Sequence, residues 1–144
     1  MAGLRFLIGV KIMLTENIDA DINGYSSEMV DGLGNENLAE IEKALGVLTN
    51  DGVYGYYVYC KSKAKGKVSH SIFKEFIAGV VNRFNLVVNN RYEIKSQMAG
   101  IGDYDRYFKT LSRDIHKLLF FRDILEQILI YARYHAKAKK QDGA

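Results

Sequence analysis

Apolar positions recur at helical spacing over most of this chain. Leu4, Leu7, Ile8, Ile12 and Leu14, with Lys11 among them, predict a mostly apolar first helix ending near Glu16. The next stretch, NIDADINGYSSEMVDGLGNEN, is rich in Asn, Asp, Gly and Ser. It reads as a loop with one helical turn around 28–33. Asn37 is placed to cap a helix over 38–48, with Glu40 three residues on, as in a capping box. Ile41, Leu45 and Leu48 recur at helical spacing, and Thr49-Asn50-Asp51-Gly52 stops the helix.

The period then changes. The run 53–60, VYGYYVYC, is aromatic and β-branched, bounded by glycine and a polar run, and predicts a strand. The segment 61–66 would be its turn and 67–70 a short return strand. Ile72, Phe73, Phe76, Ile77, Val80, Val81 and Phe84 then form a wide helical stripe, with Ser71 as its N-cap. The stretch 85–102 is ambiguous. Residues 86–88 fit a buried strand or a helix tail, Asn89-Asn90 a turn, 91–99 a short helix, and Gly100 and Gly102 are breaks. From Asp103, Tyr104, Phe108, Leu111, Ile115, Leu118, Leu119, Leu125, Ile128, Leu129 and Ala132 sustain a helical period. That is one long helix or two in a hairpin, with Phe120-Phe121 widening the apolar face. The expected fold is mainly α: a single domain over 1–144, a helical bundle of five or six helices with a small inserted β-hairpin near 53–70. Its expected core includes Leu7, Leu45, Phe73, Phe76, Ile77, Val80, Leu111, Ile115, Ile128 and Leu129.

Composition adds limits. No apolar run reaches the roughly 18–20 residues of a membrane span. Arg5 and Lys11 interrupt the first apolar stretch and no small-residue cleavage site follows, so it reads as a core helix rather than a leader. A single cysteine, Cys60, excludes an internal disulfide framework and suits a reducing, cytoplasmic setting. Proline is absent, so nothing removes a backbone donor from the helices. Charge is split by position. Residues 1–52 hold three basic residues against nine acids, net −6, while 53–144 hold seventeen against eight, net +9. Such asymmetry points to a polyanionic partner or a charged neighbouring subunit.

The sharpest local feature is KSKAKGK. If the strand period continues into the turn, Lys61, Lys63, Lys65 and Lys67 lie in phase with Tyr57 and Tyr59. Lysines that contact phosphates beside tyrosines that stack on bases suit nucleic-acid binding. The same lysines also suit a solvated hairpin tip that discourages edge pairing. Arg83, Arg91 and Lys95, with Lys74, extend the basic surface without sharing one helical face. Arg106, Lys109, Arg113 and Lys117 would form one stripe of a helix, with Arg122 beyond. Asp103, Asp105, Asp114 and Asp123 offer them local partners, so a salt-bridged exposed face is the other reading.

No catalytic pattern accompanies these charges. His70, His116 and His135 have no metal-ligand spacing, and Cys60 has no histidine at motif spacing. Gly32-x-Gly34 lacks the third glycine and preceding strand of a dinucleotide fingerprint. Asp19 and Asp21 fall in the expected polar loop. The expectation is a protein without catalytic activity, cofactor or metal.

The order of segments carries a resemblance. A hydrophobic first helix is followed by Tyr25-Ser26-Ser27-Glu28-Met29-Val30-Asp31-Gly32-Leu33-Gly34-Asn35, then the helix 38–48, a hairpin and further helices. This resembles the small subunit of archaeal type I-A CRISPR Cascade complexes. Chain length, the helical body and the small β insertion also match. Small subunits of type III effectors are likewise small, basic and helical, but look less like this chain because they generally lack a hairpin. The resemblance implies a non-enzymatic subunit of an RNA-guided complex; the alternatives are a helical protein–protein interaction subunit of another assembly and a free-standing small nucleic-acid-binding protein. The partners of the RNA-guided subunit would be the other CRISPR effector subunits, with guide RNA and opened target DNA nearby and with at most modest self-association. Pairing with the guide reads sequence, so the protein needs only backbone contacts. The acidic first segment would be free to meet a basic neighbour.

Overall fold

The structure, a computed structural model, describes residues 2–34, 37–89 and 98–142, with side-chain positions for 18–34, 37–84 and 98–140. Every element in it is helical. Helix α1 spans Ala2–Leu33 and α2 spans Asn37–Lys63. A rod over 71–89 follows, made of α3 (Ser71–Phe73), a π-helical stretch (Lys74–Ala78) and α4 (Gly79–Asn89). Helices α5 (Ile101–Ser112) and α6 (Ile115–Asp142) complete the bundle. The rod reads as one piece because Phe73, Lys74 and Gly79 all keep right-handed helical backbone at its joints.

The expected β-hairpin does not occur among the described residues. Period two places Val53, Gly55, Tyr57 and Tyr59 on one face of a strand, and Tyr54, Tyr56, Val58 and Cys60 on the other. Both faces would need cover, and a two-stranded ribbon cannot provide it. Period 3.6 instead gathers Val53, Tyr56, Tyr57, Cys60 and Ala64 on one side, and all five are buried. The stop signal at Gly52 is real. That residue takes φ 79° and ψ −172°, so α2 is two helical stretches joined at a sharp break. The second stretch ends in a Schellman motif, with Lys65 N–H donating to Ser62 O and Gly66 N–H to Lys61 O, each at 3.0 Å. The left-handed position, usually glycine, is Lys65, at φ 54°.

The polar stretch read as a loop is also helix, the second half of α1. Ile22, Tyr25, Ser26, Met29 and Val30 are buried along one stripe, and the Asn, Asp and Ser residues between them face outward. Ser26 is the only buried polar residue among the described ones. Its Oγ lies 2.6 Å from Ile22 O and 3.0 Å from Ile128 O, bridging α1 to α6. Helix α6 packs on both α1 and α2 through Phe121, Ile124, Leu125, Ile128, Leu129, Ala132 and Ala136. The late helical run resolves into two helices. Arg113 caps α5, and the Asp114 carboxylate accepts from His116 N–H and Lys117 N–H to start α6.

The rod is held by its π turn. There Gly79 N–H donates to Lys74 O, five residues back, and the ladder shifts. Two carbonyls of this stretch accept tyrosine hydroxyls. Tyr25 Oη of α1 donates to Glu75 O at 2.6 Å, and Tyr56 Oη of α2 to Phe76 O at 3.1 Å. Gly79 lets Tyr25 approach, since a Cβ there would collide with the Tyr25 hydroxyl. Gly32 leaves room for the Glu75 carboxylate in the same way. The N-cap of the rod is His70, whose Nδ1 accepts from Ile72 N–H, rather than Ser71.

Of the expected core, Phe73, Phe76, Ile77, Val80, Leu111, Ile128 and Leu129 are buried, and Leu45 is half-buried. Ile115 is not core. It opens α6 and is 58% exposed, because the break at Asp114 resets the helical phase. Leu7 falls outside the described side chains. Replacing Tyr25→Phe removes the hydroxyl that donates to the Glu75 carbonyl and should cost about 0.5–1.5 kcal/mol by denaturant titration. Gly79→Ala should lower stability by about 1–3 kcal/mol through overpacking. Wild-type stability in both variants would show that the π turn does not hold the rod.

Candidate nucleic-acid interface

The second stretch of α2 sets Tyr57 against α5. Its ring stacks on Phe108 with centroids 4.3 Å apart and planes 17° from parallel. Its hydroxyl donates to Asp105 Oδ1, and Lys61 Nζ reaches the same carboxylate at 3.1 and 3.3 Å. The Tyr57 hydrogen bond, then Lys61 and Lys109, hold the Asp105 carboxyl below the usual carboxylate range. Burial first, then Asp105, pushes the Tyr57 phenol far up, so it stays a donor throughout the working pH range. Tyr57 is therefore a packed core residue and not a stacking platform. Tyr59 sits two positions on, around the helix, half-buried, and its hydroxyl is buried without a hydrogen-bond partner among the described residues. The expected shared face of Tyr57, Tyr59 and the alternating lysines is corrected accordingly.

The predicted cations are dispersed. Lys63, Lys65 and Lys67 are exposed, on the last turn of α2 and the turn after it. Lys61 is tied to Asp105. Arg83 pairs with Glu28 of α1 at 3.3 Å. Arg91 and Lys95 lie outside the described residues. Arg106 pairs with Asp103, whose carboxyl is held below its usual range by the backbone N–H of Ala99 and Gly100 and then by Arg106. The expected stripe does not run on one helix: Arg106 and Lys109 belong to α5, Arg113 caps it, and Lys117 belongs to α6.

The charge split is partly satisfied inside the fold. Lys139 meets Asp31 at 3.0 Å and Arg133 meets Glu42 at 3.6 Å, both linking α6 to the acidic first third. His135 Nε2 lies 2.9 Å from Asn23 Oδ1 on the same side. Acids of α1 and α2 thus face basic residues of the same chain, not only a neighbour. Each such exposed pair is worth little, ~0–1 kcal/mol. Their effect is to leave the net positive charge concentrated elsewhere.

One feature escaped the sequence reading. Tyr54 and Val58, one helical turn apart on the outer side of α2, are 40% and 47% exposed. With Lys61, Lys65, Gly66 and Asp105 they line a groove of about 370 Å³. A helical reading of 53–64 would have found it, since these two positions fall opposite Val53, Tyr56, Tyr57 and Cys60. Cys60 itself is buried, and burial pushes its thiol far above the usual range, which leaves it protonated and unreactive. Among the described residues no three His, Cys, Asp or Glu side chains group as metal ligands, and no helix is long and apolar enough to cross a membrane. No family model, curated protein or solved structure matches the chain.

Asp103 and Asp105 give an acid-limb prediction. Carboxyls held low in the folded state stabilise it above the ordinary aspartate value of 3.8, and this stability is lost as pH falls through the depressed values. Glu75 acts in the opposite sense, because burial raises its carboxyl and folding improves as it takes up a proton. The Asp105→Asn variant isolates the first effect. It should melt lower than wild type at neutral pH, and the gap should narrow as pH falls below the ordinary aspartate value of 3.8. A gap that is constant with pH would mean the Asp105 charge contributes nothing.

Proposed function

We propose that this chain is a non-enzymatic small subunit of an RNA-guided CRISPR effector complex, holding guide or target nucleic acid by sequence-tolerant contacts. One observation carries the reading. Lys63, Lys65, Lys67, Lys109 and Arg113 are exposed and in no ion pair among the described residues, while the acids of the first third are partly engaged by α6 and α4. The unbalanced charge at the end of α2, in the turn after it and at the end of α5 is what a phosphate backbone attracts. The helical body supports the same class of subunit. The hairpin was the feature that favoured a type I-A small subunit over the hairpin-free type III ones. An all-helical course through 53–63 takes away that one point of difference, and the type I-A reading then rests on residues 25–35 and the order of the helices.

A second reading has its own support. Ile115, Leu119, Tyr131 and Tyr134 are exposed along α6, which suits a helical subunit that docks on protein. Inside an assembly the two roles coexist. Outside one, a purely protein-binding subunit would ignore nucleic acid.

The test is recovery of the tagged chain from its own cells at low salt. It should co-purify with a larger RNA-containing assembly. Single-strand binding by the purified chain should weaken steeply with salt, and Lys63, Lys65 and Lys67 replaced together by alanine should flatten the log–log slope by about 2, at ~0.7 per lost contact. A chain recovered alone, with turnover of a small-molecule substrate, would end this reading.

A further inference from the structure

Tyr54 is an aromatic ring held at the surface by the core. Its centroid lies 6.3 Å from that of Tyr57, at 62° between planes, and Tyr57 is itself stacked on Phe108. The exposed ring is thus propped by two packed ones and needs little ordering to receive a flat partner. Val58 extends the ledge by one helical turn. Cations stand by it: Lys61 and Lys65, at the end of α2 and in the turn after it, line the groove, and Lys109 follows Asp105 by one turn of α5.

We propose that this groove binds single-stranded nucleic acid, with one unpaired base on Tyr54 and Val58 and the flanking phosphates on Lys65 and Lys109. The inference rests on the nucleic-acid reading above and assigns it a place. One observation favours this occupant over an acidic peptide: the ledge is aromatic, and stacking on such a ring is open to any base. Asp105, paired with Lys61, keeps acceptor capacity for a base amine.

Lys65 adds an independent mark. It holds the left-handed position that ends α2, where glycine is the favoured residue, so a charged side chain stands there at a conformational cost. Lysine at this place puts an ammonium group on the groove, which glycine would not. Stability and binding therefore make opposite demands on position 65.

The experiment measures binding of a labelled single-stranded oligonucleotide by the purified full chain, against a strand of equal charge with abasic sites. Tyr54→Ala should weaken binding of the normal strand roughly 5- to 150-fold and leave the abasic strand unaffected. Tyr54→Phe, which keeps the ring, should bind as wild type. Lys65→Gly should melt higher than wild type and yet lower the salt slope by about 0.7. Equal binding of normal and abasic strands would overturn the proposal, as would full binding by Tyr54→Ala, a Lys65→Gly variant that gains stability at no loss of binding, or no binding by wild type at low salt. Each of these outcomes would leave the subunit reading to be decided by co-purification. A chain recovered alone, yet binding in the Tyr54-dependent manner, would keep the groove and remove the assembly.

Discussion

The geometry of the candidate surface depends on where Tyr57 is placed. Its ring lies flat on Phe108 and its hydroxyl is spent on Asp105, so one side chain fixes the second stretch of α2 against α5. Phe73 and Tyr104 join the same aromatic seam edge-on, and Phe121 carries it into α6. A seam of this kind buries large area and adds about 0.5–1.5 kcal/mol per well-placed ring pair. It also sets the positions of groups that are not buried. Tyr54 leans on Tyr57, Lys61 is drawn to Asp105, and Lys109 stands one turn further along α5.

The seam in turn needs the rod 71–89 to stand still. The π turn is where that happens. Phe73, Phe76 and Ile77 reach the core from this stretch, and two of its carbonyls accept hydroxyls from tyrosines of α1 and α2. These contacts explain two glycines that have no role in turns. Gly32 and Gly79 make room for the groups that meet at the π stretch. A buried carbonyl must find a donor, and here the donors come from both neighbouring helices.

Much of the helical layout was legible from spacing alone. The stripe from Ile72 to Phe84 is buried as read, and the stop at Gly52 is a true break in the chain axis. What misled was residue type. Tyr and Val in VYGYYVYC favour a strand by propensity, but Val53, Tyr56, Tyr57 and Cys60 also fit a helix, and tertiary burial chose the helix. The same conflict hid the second half of α1, where polar residues obscured the stripe from Ile22 to Val30. The lysine cluster was visible at once, but its arrangement was not. Alternation puts lysines on one face of a strand and spreads them around a helix end, and only Lys61 and Lys65 reach the groove. Long-range pairing of acids with α6 was beyond a sequence reading, since Asp31 and Lys139 are distant in the chain.

Nucleic acid seated on the outer side of α2, next to α5, as proposed, would be seen by ultraviolet cross-linking of the full chain to a single-stranded oligonucleotide, followed by mapping of the modified peptides. Adducts are expected on residues 54–65, concentrated at Tyr54. Adducts confined to α6, near Tyr131 and Tyr134, or none above a denatured control, would contradict it.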